Sequence, residues 1–298
     1  MATAAVARPR AARRTGGPIT WRKVRKRGFL YLSLLFYFVI ACFPLYWMVM
    51  ATLKNDYDLI DPTVSPFWFQ RPLGLNHFQY LFQHTNFVTW AINTTVVALC
   101  VLLITMLICI PGGYALARLR FKGAQHIGIG VFMTYLIPPI LLFLPLNQIV
   151  ANVFQLENSR WALVLVYPTF TIPFCLWLLM GFFKRVPVEI EEAALVDGCN
   201  RWQAVRRVTL PVSIPGILTA AIFAFTLSMQ DFIYALVMIS PSSQKVLNTG
   251  IPTELIRGDV FFWGELMAAA LIPAVIVAFL YNFFLDYFVE GITGGAIR

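Results

Sequence analysis

The sequence predicts an all-α integral membrane protein with six transmembrane helices and both termini in the cytoplasm. The first observation is composition: 59% of the 298 residues are hydrophobic, only 12% are charged, and mean hydropathy is +0.73. A soluble domain of this size carries about twice that charge. The second is a set of six apolar runs of the ~20 residues that a bilayer core demands. They fall at 29–51, 88–117, 124–150, 161–183, 212–239 and 264–289. The third is the placing of the 23 Lys and Arg. With the N-terminus inside, the inner segments take those of the tail and of 118–122 and 184–207, together with Arg298. Only Lys54, Arg71, Arg160, Lys245 and Arg257 fall outside. That asymmetry fixes orientation, and it accounts for the net charge of +9 without nucleic acid.

Residues 1–28 read as a basic cytoplasmic tail, rich in Ala, Arg, Pro and Gly and disordered over 1–20. The run at 29–51 is too long for a signal-peptide core and is followed by no small-residue cleavage site, so it is read as an anchor. Phe29, Tyr31, Tyr46 and Trp47 mark its ends as an interfacial belt. Residues 52–87 form an extracytoplasmic loop. Asp56, Asp58 and Asp61 lack the glycine and closing glutamate of a calcium loop, so they are read as solvated.

The core, 88–298, is punctuated by Pro111, Pro138-Pro139, Pro145, Pro168, Pro173 and Pro215. Proline within a spanning helix removes a hydrogen bond and kinks it. Such kinks fit either ordinary packing or helices that flex. Polar residues inside spans are few. Asp231 must face the bundle interior, because lipid exposure costs at least ~2.5 kcal/mol. Gln230 and Asp231 either line a pathway or tie helices together, with Asn147, Gln148 and Asn93 as weaker companions. Five scattered cysteines without CxxC spacing, and His77, His84 and His126 without a ligand pattern, predict neither disulfides nor a metal site.

The most ordered polar stretch is PVEIEEAALVDGCNRWQAVRRVTLP, Pro187 to Pro211. Pro187 suits a first helical position, and Glu189, Glu191 and Glu192 suit the positive end of the helix dipole. Gly198 stands where a left-handed cap belongs. Asn200 and Gln203 have capping-box spacing for a second helix, running through Trp202, Val205 and Val208 until Pro211. Glu192-Ala193-Ala194, three residues, Gly198, nine residues, then Val208-Thr209-Leu210-Pro211 resembles the EAA loop of permeases of binding-protein-dependent ABC importers. Gly112 to Arg118, with Asn93-Thr94-Thr95, resembles that family's second span. The stretch 240–270 and the tail from Val289 to Ala296 resemble the smaller permease of the maltose-type carbohydrate importers.

The resemblance covers roughly residues 30–298 and implies a type I ABC importer permease fold. It implies that Glu191, Glu192, Ala193, Ala194, Asp197, Gly198, Leu210 and Pro211 couple to an ATPase. It also implies that loop 240–263, at Asn248, Thr249 and Gly250, reaches the solute-binding protein; Gln230, Asp231, Asn93 and Asn147 are the candidates for the pathway, with ties between helices as their other reading. The implied partners are a second permease, two copies of an ATP-binding subunit, an extracytoplasmic solute-binding protein and membrane lipid. No GxxxxGKS/T loop occurs, so ATP and magnesium are expected on the partner and no cofactor on this chain. A carbohydrate is the expected cargo, and the same scaffold serving a polyol or glycerophosphodiester is the alternative. A membrane-embedded enzyme is expected to show His, Asp or Glu clusters that the sequence does not display. A scaffold has no need of the EAA spacing.

Overall fold

Without water to satisfy backbone N–H and C=O groups, long apolar runs have little choice but to become helices. The computed structural model describes residues 21–293 apart from 66, 120, 258 and 259. The tail over 1–20 and the end of the chain from 294 lie outside that set, as do the side chains from 286 onward. The expectations placed on the tail and on Val289 to Ala296 therefore fall there.

The chain divides into two units, residues 1–47 and 48–298. Most of helix α1 (Trp21–Leu53) lies in the first unit. It shows apolar side chains on every side, with Leu34, Leu35, Phe36 and Tyr37 exposed in succession, as a lipid-facing helix requires. Tyr37 meets Phe36 edge-on at 5.7 Å.

The second unit begins with short helices α2 (Asp56–Ile60) and α3 (Asn76–His84). The stretch predicted as a loop over 52–87 is thus largely built structure. Its three aspartates part company, each to its own partner. Asp58 is buried beside Arg71, 3.4 Å away. Asp61 accepts from the Thr63 N–H and hydroxyl, which hold its carboxyl below the ordinary value. Asp56 turns to His77. His77 is itself buried, bonded to Glu265 at 3.1 Å, and that bond raises its pKa.

Helix α4 (Phe87–Arg118) is the axis of this unit. Its 32 residues extend about 48 Å at 1.5 Å each. After it come α5 (Ala124–Tyr135), α6 (Pro139–Asn152), α7 (Arg160–Val166) and α8 (Pro168–Arg185). Small residues let helices approach closely: a Cβ on Gly113 would stand 3.1 Å from that of Leu179 on α8. Thr105 and Thr171 share a buried hydrogen bond of 2.7 Å between the same two helices. Three apolar clusters follow the axis. Leu81, Phe87, Trp90 and Leu247 gather at its start. Val97, Val101, Leu163 and Tyr234 lie further along, and Cys109, Tyr114, Leu179 and Phe183 form the third at its end.

Helices α9 (Val188–Val196) and α10 (Arg201–Ala204) lead through a π-helical turn at Val205–Thr209 into α11 (Leu210–Val212). Then come α12 (Ile214–Gln230), α13 (Ile233–Met238), α14 (Leu247–Leu255) and α15 (Trp263–Thr293). Ile256–Arg257 and Val260–Phe261 pair as a two-residue antiparallel hairpin, β1 and β2.

Among the described residues, four helical segments are long and apolar enough to cross a membrane: Arg27–Leu53, Phe87–Arg118, Arg160–Arg185 and Trp263–Leu285. Two bent pairs bring the number to six. The predicted run 124–150 is one of these pairs, α5 and α6 meeting at 92°. Pro138 adopts ψ 123°, outside the helical region, and Pro139 starts anew, because residues before proline avoid the α region. The other pair joins Arg201–Val212 to Ile214–Gln230 at 74°, so the predicted run 212–239 supplies only its second member, α12. That helix then stops at Gln230, Asp231 is extended, and α13 finishes the run.

Candidate functional site

The 187–212 segment takes its shape from local chemistry. Gly198 adopts φ +91°, a left-handed conformation that disfavours other residues. Its N–H donates to Leu195 O at 3.1 Å and that of Cys199 to Ala194 O at 3.0 Å. These are the paired bonds of a Schellman cap closing α9. Asn200 Oδ1 accepts from Gln203 N at 2.8 Å, and Gln203 Oε1 from Asn200 N at 2.9 Å, which completes the capping box. The second helix does not end before Pro211. The π-helical turn lets the helical backbone carry on to Val212 before Ser213 breaks it.

The carboxylates of this segment divide between inside and outside. Glu191, grouped in the sequence with the exposed coupling residues, turns inward. Tyr114 donates to its Oε1 at 2.5 Å, Thr209 to its Oε2 at 3.4 Å, and Arg118 Nε stands 4.0 Å from Oε2. Arg118 also donates to the Val186 carbonyl. Glu191 thus ties α9 to the end of α4. Ala194 is buried with it, while Glu192, Ala193, Asp197 and Gly198 are exposed. Leu210 is half-buried and Pro211 exposed. The outer surface of the loop also carries two apolar side chains that motif reading passed over, Val196 (88% exposed) and Trp202 (67%). Their signal in the sequence is an apolar residue where a solvated helix end favours a polar one.

At the opposite end of α4, a polar network ties down the segment predicted as a free loop over 240–263. Asn93 is fully buried. Its amide donates to the carbonyls of Ser243 (3.0 Å) and Lys245 (2.8 Å) and accepts from Arg160 at 2.5 Å. Thr94 accepts from Leu247 N at 2.8 Å, and Trp90 donates to Ser242 O at 2.8 Å. The segment contains helix α14. Thr249 and Gly250 are buried and Asn248 is half-buried, so these three do not form an exposed tip. Asn248 donates to the carbonyls of Met229 and Asp231, the latter at 3.1 Å.

Asn248 thereby stitches α14 to the break after α12. The Asp231 carboxylate at that break accepts from Tyr167 at 2.9 Å and from Ala235 N at 3.2 Å. Gln230 beside it is exposed and Asn147 on α6 is half-buried. Of the four residues expected in the pathway, then, Gln230 is exposed, Asp231 caps α13, Asn93 is a buried tie and Asn147 is half-buried. A cavity of about 600 Å³ lies between α4 and α10, with Leu107, Tyr114, Trp202 and Leu210 in its wall.

Residues 109–294 match the family described as binding-protein-dependent transport system inner membrane component. The diacetylchitobiose uptake system permease protein DasC of Streptomyces coelicolor is 32% identical over 88% of this chain and 93% of its own length. The trehalose/maltose transport system permease protein MalG of Thermococcus litoralis is 29% identical over 93% and 98%. The crystal structure of a bacterial ABC transporter involved in import of the acidic polysaccharide alginate contains a similar chain, with TM-score 0.76 and 18% identity. The match covers 91% of this chain and 99% of that one.

Proposed function

From a chain that belongs to the family of binding-protein-dependent transport system inner membrane components, we infer a permease subunit of an ATP-driven carbohydrate importer, with an oligosaccharide as cargo. The relatives named for diacetylchitobiose and for trehalose/maltose support that cargo over a polyol or glycerophosphodiester. The chain works in the inner membrane with both termini cytoplasmic. Its partners are a second permease, two ATP-binding subunits that hold ATP and magnesium, and an extracytoplasmic solute-binding protein. This chain contributes the path and the lever, and hydrolysis is the partner's.

The observation that carries the reading is the construction of the 187–212 loop. It presents Glu192, Ala193, Val196, Asp197 and Trp202 outward while Glu191, Tyr114 and Arg118 tie its inner side to α4. A partner that closes on the exposed side moves α4 with it. Because α4 runs about 38 Å from Arg118 to the network around Asn93, motion at the loop reaches that network as a tilt of one continuous helix. The 92° break between α5 and α6 and the break at Asp231 supply the points at which neighbouring segments bend. Gln230, exposed at the second break, is the pathway residue of this chain.

The reading is tested by isolating the detergent-solubilised complex through a tag on this chain and identifying its companions by mass spectrometry. Wild type is expected to bring an ATPase and a second permease. A Glu192→Arg variant, changing an exposed side chain only, is expected to lose the ATPase and keep the permease. A chain recovered alone in both cases contradicts the importer reading.

A further inference from the structure

Far from the coupling loop, at the end of the bundle where α4 begins, three side chains from separate elements converge. Asp56 lies on α2, His77 on α3 and Glu265 in the first turn of α15. One oxygen of each carboxylate and one nitrogen of His77 all lie within 4.8 Å of one another. His77 Nδ1 stands 3.1 Å from Glu265 Oε1 and 3.8 Å from Asp56 Oδ1. His77 and Glu265 are buried, and Asp56 opens the group to solvent.

The proton on the ring is assigned by its other nitrogen. His77 Nε2 is 2.8 Å from the Lys54 carbonyl. A carbonyl oxygen only accepts, so Nε2 carries the hydrogen, and Nδ1 is the atom that faces the two carboxylates. A backbone carbonyl behind one ring nitrogen is the common support for a histidine whose other nitrogen binds a metal. Gly264 holds the ring in place: a Cβ there would lie 2.3 Å from His77 Cε1 and Nε2, so the imidazole packs directly against the backbone of α15.

Two arrangements fit a ring facing two carboxylates. If Nδ1 is protonated, its single hydrogen goes to Glu265 Oε1. Asp56 at 3.8 Å is then beyond hydrogen-bond reach, and Glu265 Oε2, buried and without a hydrogen-bond partner, stays unsatisfied at a cost of about 1–3 kcal/mol. A divalent cation among the three donors satisfies all of them at once. We propose that Asp56, His77 and Glu265 form a binding site for a divalent transition metal of the zinc class, which clamps the α2–α3 segment to the start of α15. One imidazole and two carboxylates suit zinc, whose remaining position goes to water. Calcium and magnesium prefer oxygen alone. The exposed Asp56 gives the ion its way in and needs only a side-chain rotation to close on it.

The test uses the purified full-length protein in detergent, stripped with a chelator, and titrates zinc against a metallochromic indicator. Thermal unfolding is followed in the same samples with zinc or magnesium. Wild type is expected to bind one zinc that Asp56→Asn binds weakly or not at all, and to melt at a higher temperature with zinc but not with magnesium. His77→Gln and Glu265→Gln are expected to lose binding altogether. Should either buried variant fail to fold, Asp56→Asn decides, since its side chain is exposed. Equal zinc binding by wild type and Asp56→Asn, no binding by wild type, or an equal shift with magnesium would each overturn the proposal. The group would then be an ion-pair cluster only.

Discussion

Replacing Gly198 by valine tests how the coupling loop is held. The residue sits at φ +91° with nothing within 4 Å of where a Cβ would be. The penalty is therefore backbone strain alone, with no clash to relax. A left-handed conformation costs an L-residue roughly 1–2 kcal/mol, and valine, branched at Cβ, lies at the upper end. Gly198 is exposed and is not part of an apolar cluster, so the cost falls on its two cap bonds and not on the spans. A loss of 1–2 kcal/mol reduces the capped population about 5- to 30-fold. Recovery of the ATPase with the purified complex, and uptake driven by it, are expected to fall in step, while the unfolding temperature of the helices stays within a degree or two. Gly198→Asn is the control, because asparagine tolerates this conformation and is expected to restore most of the loss. Valine and asparagine variants that behave alike, or a valine variant with full coupling, would refute the reasoning.

Tyr114→Phe removes the hydroxyl that donates to Glu191. A hydrogen bond to a charged group is worth ~1.5–3 kcal/mol, so faster amide hydrogen exchange over 188–200 is expected. Glu191→Gln, which keeps an acceptor for that hydroxyl, is expected to show a smaller change. Asn93→Leu strands the Ser243 and Lys245 carbonyls and Arg160. It is expected to cost about 1–3 kcal/mol, read as lost exchange protection over 243–250. In the pair Thr105 and Thr171, a double-mutant cycle to valine is expected to give a coupling of only about 0.6 kcal/mol in thermal unfolding, as for other hydrogen bonds between spanning helices. A coupling of several kcal/mol would contradict that expectation.

The features that hydropathy and local chemistry decide were open to reading from sequence. An apolar run of 20 residues has few fates, and the cap at Gly198 and the box at Asn200 and Gln203 are made by residues within five positions of each other. What could not be read depends on partners far along the chain. Glu191 turns inward because Tyr114, 77 residues earlier, waits for it. His77 finds Glu265 across 188 residues, and neither carries a motif that announces the other. The stretch 240–263 looks like a free loop because its side chains are polar, yet its backbone groups at Ser242, Ser243 and Leu247 are spent on Trp90, Asn93 and Thr94. Prolines 138 and 139 marked a kink, but how far a double proline bends a span depends on what packs beside it.

Val196 offers the most direct test of the central claim that the 187–212 loop is where the driving subunit docks. It is 88% exposed on the outer side of that loop, so a cysteine there disturbs nothing beneath it. With Val196→Cys in a Cys199→Ser background in membrane vesicles, a short thiol-to-amine cross-linker is expected to join this chain to the ATP-binding subunit, more strongly when ATP is present. The same reagent at Ser243→Cys, in the turn that Asn93 holds near the opposite end of α4, is expected to miss that subunit. A cross-link to the ATPase from Ser243→Cys and none from Val196→Cys would contradict the account.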